Sequence, residues 1–180
     1  SIVKVCKWLK MQSQPRERIA GWDLFVFEMN RLNEKGGRCM FMGSSEKVLA
    51  LIKQRAAVDY PNLEVVTYSP PYKPEFSQED NAAIVAAINE ANPDLLWIGM
   101  TAPKQEKWIY ENYQKYDAKV SICAGASVDF LAGNVNRAPK WMSDHGLEWF
   151  YRFLQEPKRM FKRYFIDAVK ILSLIFKYRK

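Results

Sequence analysis

The residues that could do chemistry gather where an apolar run gives way to polar side chains. Leu95–Met100 is a continuous apolar run of strand length, which predicts a strand buried on both faces of a parallel sheet. Thr101, Lys104 and Gln105 follow it at the start of a helical pattern, and open α/β sheets bind ligands where strands end and helices begin. A polar ligand site is one interpretation. The other is an ordinary helix start, in which Glu106 complements the helix dipole.

The turn after an earlier strand-like run offers a second candidate. Gly43, Ser44 and Ser45 lie between a predicted strand and a predicted helix, where backbone N–H groups can bind a phosphate. The alternative is a tight turn whose serine caps the helix. Neither of the glycine-rich nucleotide motifs, G-x-G-x-x-G and G-x-x-x-x-G-K-[ST], is present. Sequence alone leaves both interpretations open.

The end of the last strand-like run carries a glycine and an acid. Gly125 would let a ligand approach the backbone there, and Asp129, one turn into the next helical pattern, could accept hydrogen bonds from ribose hydroxyls. An acid placed at a helix start only because of the dipole is the alternative.

Other reaction classes have little support in the composition. The chain holds three widely spaced cysteines and one histidine, so no zinc cluster and no metal site are predicted. No serine or cysteine has a recognisable nucleophile setting. The cysteine usage indicates a reduced, cytoplasmic compartment. No secretory signal is apparent, and the apolar runs near the C-terminus are too short to span a bilayer.

The elements that position these residues alternate along the chain. Apolar runs predict strands and 3.6-residue patterns predict helices, with a capping box formed by Ser77 and Asp80. The alternation predicts an α/β fold with a Rossmann-like, doubly wound, mainly parallel sheet. The predicted strands are Arg38–Met42, Leu63–Tyr68, Leu95–Met100 and Val120–Ala124, and the predicted helices are residues 1–10, about 23–33, Ser45–Asp59, Ser77–Glu90 and Pro103–Tyr116.

The C-terminal segment differs in charge and pattern. Residues 147–180 have a helical pattern that predicts a basic, amphipathic appendage. Residues 1–146 are then the α/β core. Residues from Trp149 onward include nine Lys or Arg and two acids, and so carry the whole net charge of +7. Such a helix indicates an anionic membrane surface as partner rather than nucleic acid. Alternatively, its apolar face packs on the core or on a second subunit of a homo-oligomer; that face comprises Phe161, Phe165, Ala168, Leu172 and Ile175.

Three ordered blocks resemble a known enzyme family. "DLLWIGMTAPKQEKWI", "GASVDFLAGNVNRAPKWM" and "GLEWFYRFLQEPKRMFKRY" are similar to the signature blocks of the WecG/TagA/CpsF glycosyltransferases, and the likeness runs from about Glu17 through Tyr164. The resemblance implies transfer of an N-acetylmannosamine-type sugar, or its uronic acid, from a UDP donor to a lipid-linked acceptor such as N-acetylglucosaminyl-diphospho-undecaprenol. It implies inversion without a metal or other cofactor, at the inner face of the plasma membrane, in surface polysaccharide or teichoic-acid biosynthesis.

The resemblance also implies roles for individual residues. Gln105 matches the family's active-site glutamine, Asp129 the acid beside the uridine site, and Arg18 an arginine near the donor or acceptor. Gly43, Thr101, Lys104 and Gly125 are then substrate-binding candidates. With no metal implied, helix N-termini and arginines would neutralise the departing diphosphate, because planar guanidinium groups suit diphosphates. The candidate arginines are Arg137, Arg152, Arg159 and Arg163.

The chain departs from the family pattern in two places. The family's proposed general base is an aspartate in an Asp-Gly motif that would precede Ser1, so we expect either missing upstream sequence or a lost base. In the second case the alternative function is a non-catalytic UDP-sugar or lipid-binding module. The segment "YSPPYKPEFS" stands where relatives often carry glycine. It either shapes a cleft rim or simply connects two elements, and it puts sugar or acceptor selectivity in doubt.

Overall fold

The computed structural model describes residues 2–12, 19–125, 127–133, 138–161, 173 and 177. Its strands and helices follow the predicted alternation. The strands are β1 Arg38–Met42, β2 Glu64–Tyr68, β3 Leu95–Ile98 and β4 Val120–Cys123. The helices are α1 Ile2–Trp8, α2 Gly21–Lys35, α3 Glu46–Asp59, α4 Gln78–Ala91, α5 Lys104–Asn112, α6 Ser127–Leu131, α7 Lys140–Asp144, α8 Glu148–Gln155 and α9 Pro157–Phe161.

The described strands form one parallel sheet in the order β2-β1-β3-β4. This confirms the predicted Rossmann-like α/β fold. The strands end at the same level, because Met42 pairs with both Tyr68 and Ile98, and Ile98 pairs with Cys123. From β1 the chain goes first to β2 on one side and then to β3 on the other. The carboxyl ends of β1 and β3 therefore flank the topological switch point, where such sheets bind ligands.

Each face of the sheet carries its own hydrophobic core. Side chains alternate along each strand, so Phe41 and Trp97 point into one core while Met42 and Ile98 point into the other. The first core is covered by α2, α3 and α6, and the second by α4 and α5. Because β3 is buried on both faces, its residues are apolar without a break, as the sequence predicted.

Local signals set most helix ends. The capping box of α4 is formed as predicted, with the Asp80 backbone N–H donating to Ser77 Oγ at 3.1 Å and the Ser77 N–H donating to Asp80 Oδ2 at 2.9 Å. The prediction that α5 extends to Tyr116 is wrong, since the helix ends at Asn112. The chain turns there because Tyr116 stacks on Trp108, with ring centroids 5.6 Å apart. Its hydroxyl also contacts Ser121 Oγ at 3.0 Å, so tertiary packing overrides the helical pattern.

Contacts divide the chain into two compact units, residues 19–136 and residues 1–18 with 137–180. The sheet and both cores belong to the first unit. The predicted boundary at residue 146 remains a prediction, and most of the predicted tail helix lies outside the described residues. Among the residues that the structure describes, no helix is both long and apolar enough to cross a bilayer.

Candidate active site

A pocket of about 640 Å³ lies at the switch point of the sheet. It is lined by residues drawn from 43–46, 69–76 and 99–104, which are the segments that follow β1, β2 and β3. Three of the substrate-binding candidates, Gly43, Thr101 and Lys104, line it together. The pocket therefore occupies the position at which the fold is expected to hold a ligand.

Two glycines bring the backbones after β1 and β3 into contact beside the pocket. Gly43 has a φ of +86°, and a Cβ built on it would lie 3.0 Å from the Gly99 carbonyl oxygen. A Cβ on Gly99 would lie 3.0 Å from Val128 Cγ2 and 3.3 Å from the Gly43 oxygen. All three distances are shorter than an unstrained contact of a Cβ atom. The pocket wall is therefore backbone at this point, and only glycine fits there without displacing it.

Ser44 and Ser45 line the pocket, and neither hydroxyl caps α3. Ser44 has a φ of +64°, which is costly for a residue with a side chain, and its carbonyl accepts a hydrogen bond from Ser69 Oγ at 2.9 Å. Ser45 occupies the N-cap position of α3, but its side chain makes no capping hydrogen bond. The alternative prediction, a turn whose serine caps the helix, is thus correct in placing Ser45 at the N-cap. It is wrong in that the Ser45 hydroxyl makes no capping hydrogen bond. Glu46, in the first turn of α3, lines the same pocket.

The proline-rich loop forms the rim of the pocket, which decides between the two interpretations of that segment. Lys73 in the loop pairs with Asp80 of α4 at 2.8 Å. Lys104 lies 3.6 Å above the ring of Phe76, and its Nζ donates to the Lys73 carbonyl. Burial lowers the pKa of Lys104, while Asp80 opposes that change. The ammonium of Lys104, on the wall of the pocket, therefore stabilises the loop through its contacts with Phe76 and the Lys73 carbonyl.

Gln105 follows Lys104 in the first turn of α5 and is not among the residues that line the pocket. Its side chain is only 4% exposed, and its Nε2 donates to Glu106 Oε1 at 2.9 Å. Its Oε1 is buried and has no hydrogen-bond partner among the described residues. The Glu106 carboxylate lies close enough to Cys123, the last residue of β4, to add to burial in raising the pKa of that thiol.

The remaining predicted residues of the first unit follow β4. Gly125 has a φ of +51° and nothing within 4 Å of its ideal Cβ position, so its backbone is open to a ligand. Asp129 lies half-buried in the first turn of α6. Of the predicted residues described in this unit, Gly43, Thr101 and Lys104 thus share the pocket, whereas Gln105 follows β3 and both Gly125 and Asp129 follow β4.

Only two of the five predicted arginines, Arg152 and Arg159, lie within the described residues. Arg18, Arg137 and Arg163 lie outside the described residues. Arg159 is part of α9, and its side chain is likewise outside the description. Arg152 lies in α8, with a guanidinium nitrogen 3.6 Å from Glu148 Oε1. Within the described ranges, no group of three or more His, Cys, Asp or Glu side chains comes together to hold a metal ion.

Sequence reasoning missed two features of the site. It did not identify the rim contacts of Lys104, because Phe76 and Lys73 are distant in sequence. The sequence also indicated no reason for Glu106 beyond the helix dipole, whereas the Glu106 carboxylate accepts a hydrogen bond from the side-chain amide of Gln105. Adjacent side chains on a helix do not normally face each other, so no sequence pattern would have indicated this pair.

Comparison with known proteins identifies the family. The sequence model described as the glycosyl transferase WecG/TagA/CpsF family matches residues 1–180. The chain belongs to this family. A relative from Bacillus subtilis (strain 168) is 35% identical over 144 residues, covering 80% of this chain and 54% of that protein. A second, from Bacillus spizizenii, is 30% identical over 165 residues, covering 92% of this chain and 62% of that protein.

Both of these family members carry the name N-acetylglucosaminyldiphosphoundecaprenol N-acetyl-beta-D-mannosaminyltransferase. The chain spans 54% and 62% of their lengths. The family to which the chain belongs is one of glycosyl transferases.

Proposed function

We propose that this chain forms part of the active site of a glycosyltransferase that moves an N-acetylmannosamine-type sugar from a UDP donor to a lipid-linked acceptor. N-acetylglucosaminyl-diphospho-undecaprenol is the acceptor suggested by the names of the two relatives. The observation that carries the proposal is the pocket at the switch point of the sheet, in a chain that matches this family along its whole length.

The pocket suits the sugar better than the diphosphate. Ser44, Ser45 and Thr101 line it with groups that can bond to ring hydroxyls, and the exposed ring of Tyr72 lies on its rim. Glu46 places a carboxylate at the start of α3, where it repels a phosphate that would otherwise bind the helix N-terminus. The two lysines on the pocket wall, Lys73 and Lys104, are already engaged by Asp80 and by the rim loop. A neutral, hydroxylated ring is therefore the ligand that this lining favours.

The proposed reaction is a single displacement with inversion. The acceptor hydroxyl loses its proton to a base and attacks the anomeric carbon from the face opposite UDP, which leaves as the new glycosidic bond forms. General base catalysis typically contributes about 10²–10⁴-fold. Without a metal, positive and dipolar groups must stabilise the departing UDP, and Arg137, Arg152, Arg159 and Arg163 are our candidates. We assign Gln105 and Arg18 to catalysis, and Gly125 and Asp129 to nucleotide binding.

A transfer assay tests this function. We expect the full-length gene product to transfer labelled N-acetylmannosamine from its UDP derivative to a short-chain lipid carrying N-acetylglucosamine diphosphate, with or without EDTA. UDP-N-acetylglucosamine as donor, and the lipid without its sugar, are the matched controls. Binding of the UDP sugar without any transfer would instead favour the non-catalytic binding module, and binding of neither substrate would contradict the proposal.

We also propose that α8 helps to hold the protein at the inner face of the membrane that contains the acceptor. None of its described side chains is buried. Leu147, which precedes it, and Phe150 and Leu154 are 37%, 41% and 62% exposed, and their spacing places them on one face of the helix. Apolar side chains in this arrangement, followed by a basic segment, are typical of helices that lie in the membrane interface.

Leu154→Ser should weaken binding to anionic liposomes by about tenfold or more, because burying a leucine side chain in the interface contributes about 1.5–3 kcal/mol. Co-sedimentation with vesicles at moderate salt measures this effect. Val58→Ser is the matched control, since Val58 is 77% exposed on α3 in the other unit. Unchanged sedimentation of the Leu154 variant would mean that this helix face does not contact lipid.

A further inference from the structure

The amide of Gln105 is held in one orientation by its neighbour. Gln105 Nε2 donates to Glu106 Oε1 at 2.9 Å. A carboxylate can only accept hydrogen bonds when ionised, so the nitrogen of the amide, and not its oxygen, must face Glu106. The orientation of the amide therefore follows from this one contact. The oxygen is consequently the atom that Gln105 presents elsewhere.

That oxygen is buried and lacks a donor. Gln105 is 96% buried, given its exposed fraction of 4%, and Oε1 has no hydrogen-bond partner among the described residues. Buried polar atoms in folded proteins almost always have a partner, and each exception requires an explanation. A ligand that donates a hydrogen bond to Oε1 would explain this one.

The position of Gln105 distinguishes it from the other two unpartnered side-chain atoms in the described part of the chain, Trp97 Nε1 and Ser143 Oγ. Trp97 lies inside the hydrophobic core, packed against Phe25 with ring centroids 4.6 Å apart. Ser143 belongs to α7, in the other unit. Gln105 instead lies in the first turn of α5, next to the carboxyl edge of the sheet, where open α/β sheets bind ligands.

We propose that Glu106 is a positioning residue that makes Gln105 a hydrogen-bond acceptor, so that the substrate group bound there is a donor. The identity of the substrate rests on the function proposed above, in which the available donors are sugar hydroxyls and amide or imide N–H groups. A phosphate oxygen or a carboxylate, which can only accept, is excluded from this position. The site therefore selects a neutral, hydrogen-donating part of either the UDP sugar or the lipid-linked acceptor.

The variant Glu106→Gln tests the positioning role directly. Glutamine has the same length, but its amide can either accept from or donate to Gln105, so the amide at position 105 is free to turn over. We expect the affinity for one of two probes to fall about fivefold to tenfold, with an unchanged unfolding midpoint. The probes are UDP-N-acetylmannosamine and a short-chain lipid carrying N-acetylglucosamine diphosphate. The probe that loses affinity identifies the substrate that contacts Gln105.

Charge alone cannot produce this result. Both probes carry a negative diphosphate, so removal of a nearby carboxylate would by itself tighten their binding. Glu111→Gln is the matched control, because Glu111 is an exposed acid near the other end of α5. This control should leave both affinities unchanged.

A reciprocal exchange supplies the rescue. In the double variant Gln105→Glu with Glu106→Gln, the amide at position 106 can donate to the carboxylate at position 105, whose second oxygen remains an acceptor. The net charge of the pair is also preserved. We expect the double variant to recover most of the affinity lost by Glu106→Gln, whereas Gln105→Glu alone should bind poorly because two carboxylates would face each other.

Two results would overturn the inference. One is a Glu106→Gln variant that binds both probes as tightly as the unmodified protein, and the other is a double variant no better than either single change. If the unmodified protein binds neither probe, the proposed function fails, and the side-chain amide resonance of Gln105 decides the inference by itself. That resonance, assigned through its loss in Gln105→Leu, should shift in Glu106→Gln, and an unshifted resonance would contradict the positioning role.

Discussion

Alanine in place of Gln105 should lower transfer by about tenfold or more while leaving the fold intact. Truncation removes the buried acceptor and leaves the substrate group that it bonded without a partner, at a cost of roughly 1–3 kcal/mol. Turnover of the full-length gene product on the lipid-linked acceptor measures the effect. Thermal unfolding of the same sample should show a two-state transition close to that of the unmodified protein.

Gln114→Ala is the appropriate control for this change. Gln114 lies just beyond the end of α5 and is exposed, with its Nε2 donating to the Tyr113 hydroxyl at 3.0 Å. It should keep normal turnover. Normal turnover in Gln105→Ala, together with severe impairment in Asp129→Ala, would place the reactive centre near α6 and reduce Gln105 to a helix-start residue.

Alanine in place of Gly43 should destabilise the protein by about 2–4 kcal/mol and impair ligand binding in the pocket. The left-handed backbone conformation costs about 1–2 kcal/mol for a residue with a Cβ. The new methyl group would also lie 3.0 Å from the Gly99 oxygen and 3.2 Å from the Gly99 carbon, and backbone atoms cannot move aside as a flexible side chain would. Chemical denaturation at neutral pH measures the loss.

Gly36→Ala separates strain from crowding. Gly36 ends α2 with a φ of +63°, but its built Cβ would lie 3.9 Å from the nearest atom, the Asn62 carbonyl oxygen. This variant carries only the backbone penalty, so it should lose about 1–2 kcal/mol. Equal losses at the two positions would mean that the backbones after β1 and β3 can move apart, and that the close approach does not define the pocket wall.

The fold was predictable because its main signals are local. β1 and β3 are apolar at each buried position, the Ser77–Asp80 box starts α4, and Gly36 ends α2. The end of α5 was not predictable, since it depends on the stacking of Tyr116 on Trp108. Contacts of this kind are decided by packing and leave no periodic pattern in the sequence.

The site was predictable by position and less so by the role of each side chain. Thr101, Lys104 and Gln105 were expected at a strand end and are found there. Yet Lys104 points toward the rim loop, whereas the side chain of Gln105, the next residue, is buried and bonds to Glu106. Successive residues of a helix differ in direction by about 100°, so a cluster in sequence need not be a cluster in space. Without the neighbouring elements, nothing indicates which direction faces a ligand.

The way in which the rim loop is attached bears on how the sequence of this protein can diversify. Its anchors are Ser69, Lys73 and Phe76, which are held by the Ser44 carbonyl, by Asp80 and by Lys104. Tyr72 has a wholly exposed side chain and takes part in none of these anchoring contacts. Mutation can therefore exchange the side chain at the mouth of the pocket without loosening the loop that carries it. Ligand preference can then drift over evolutionary time while the sheet and its loops stay under separate selection for stability.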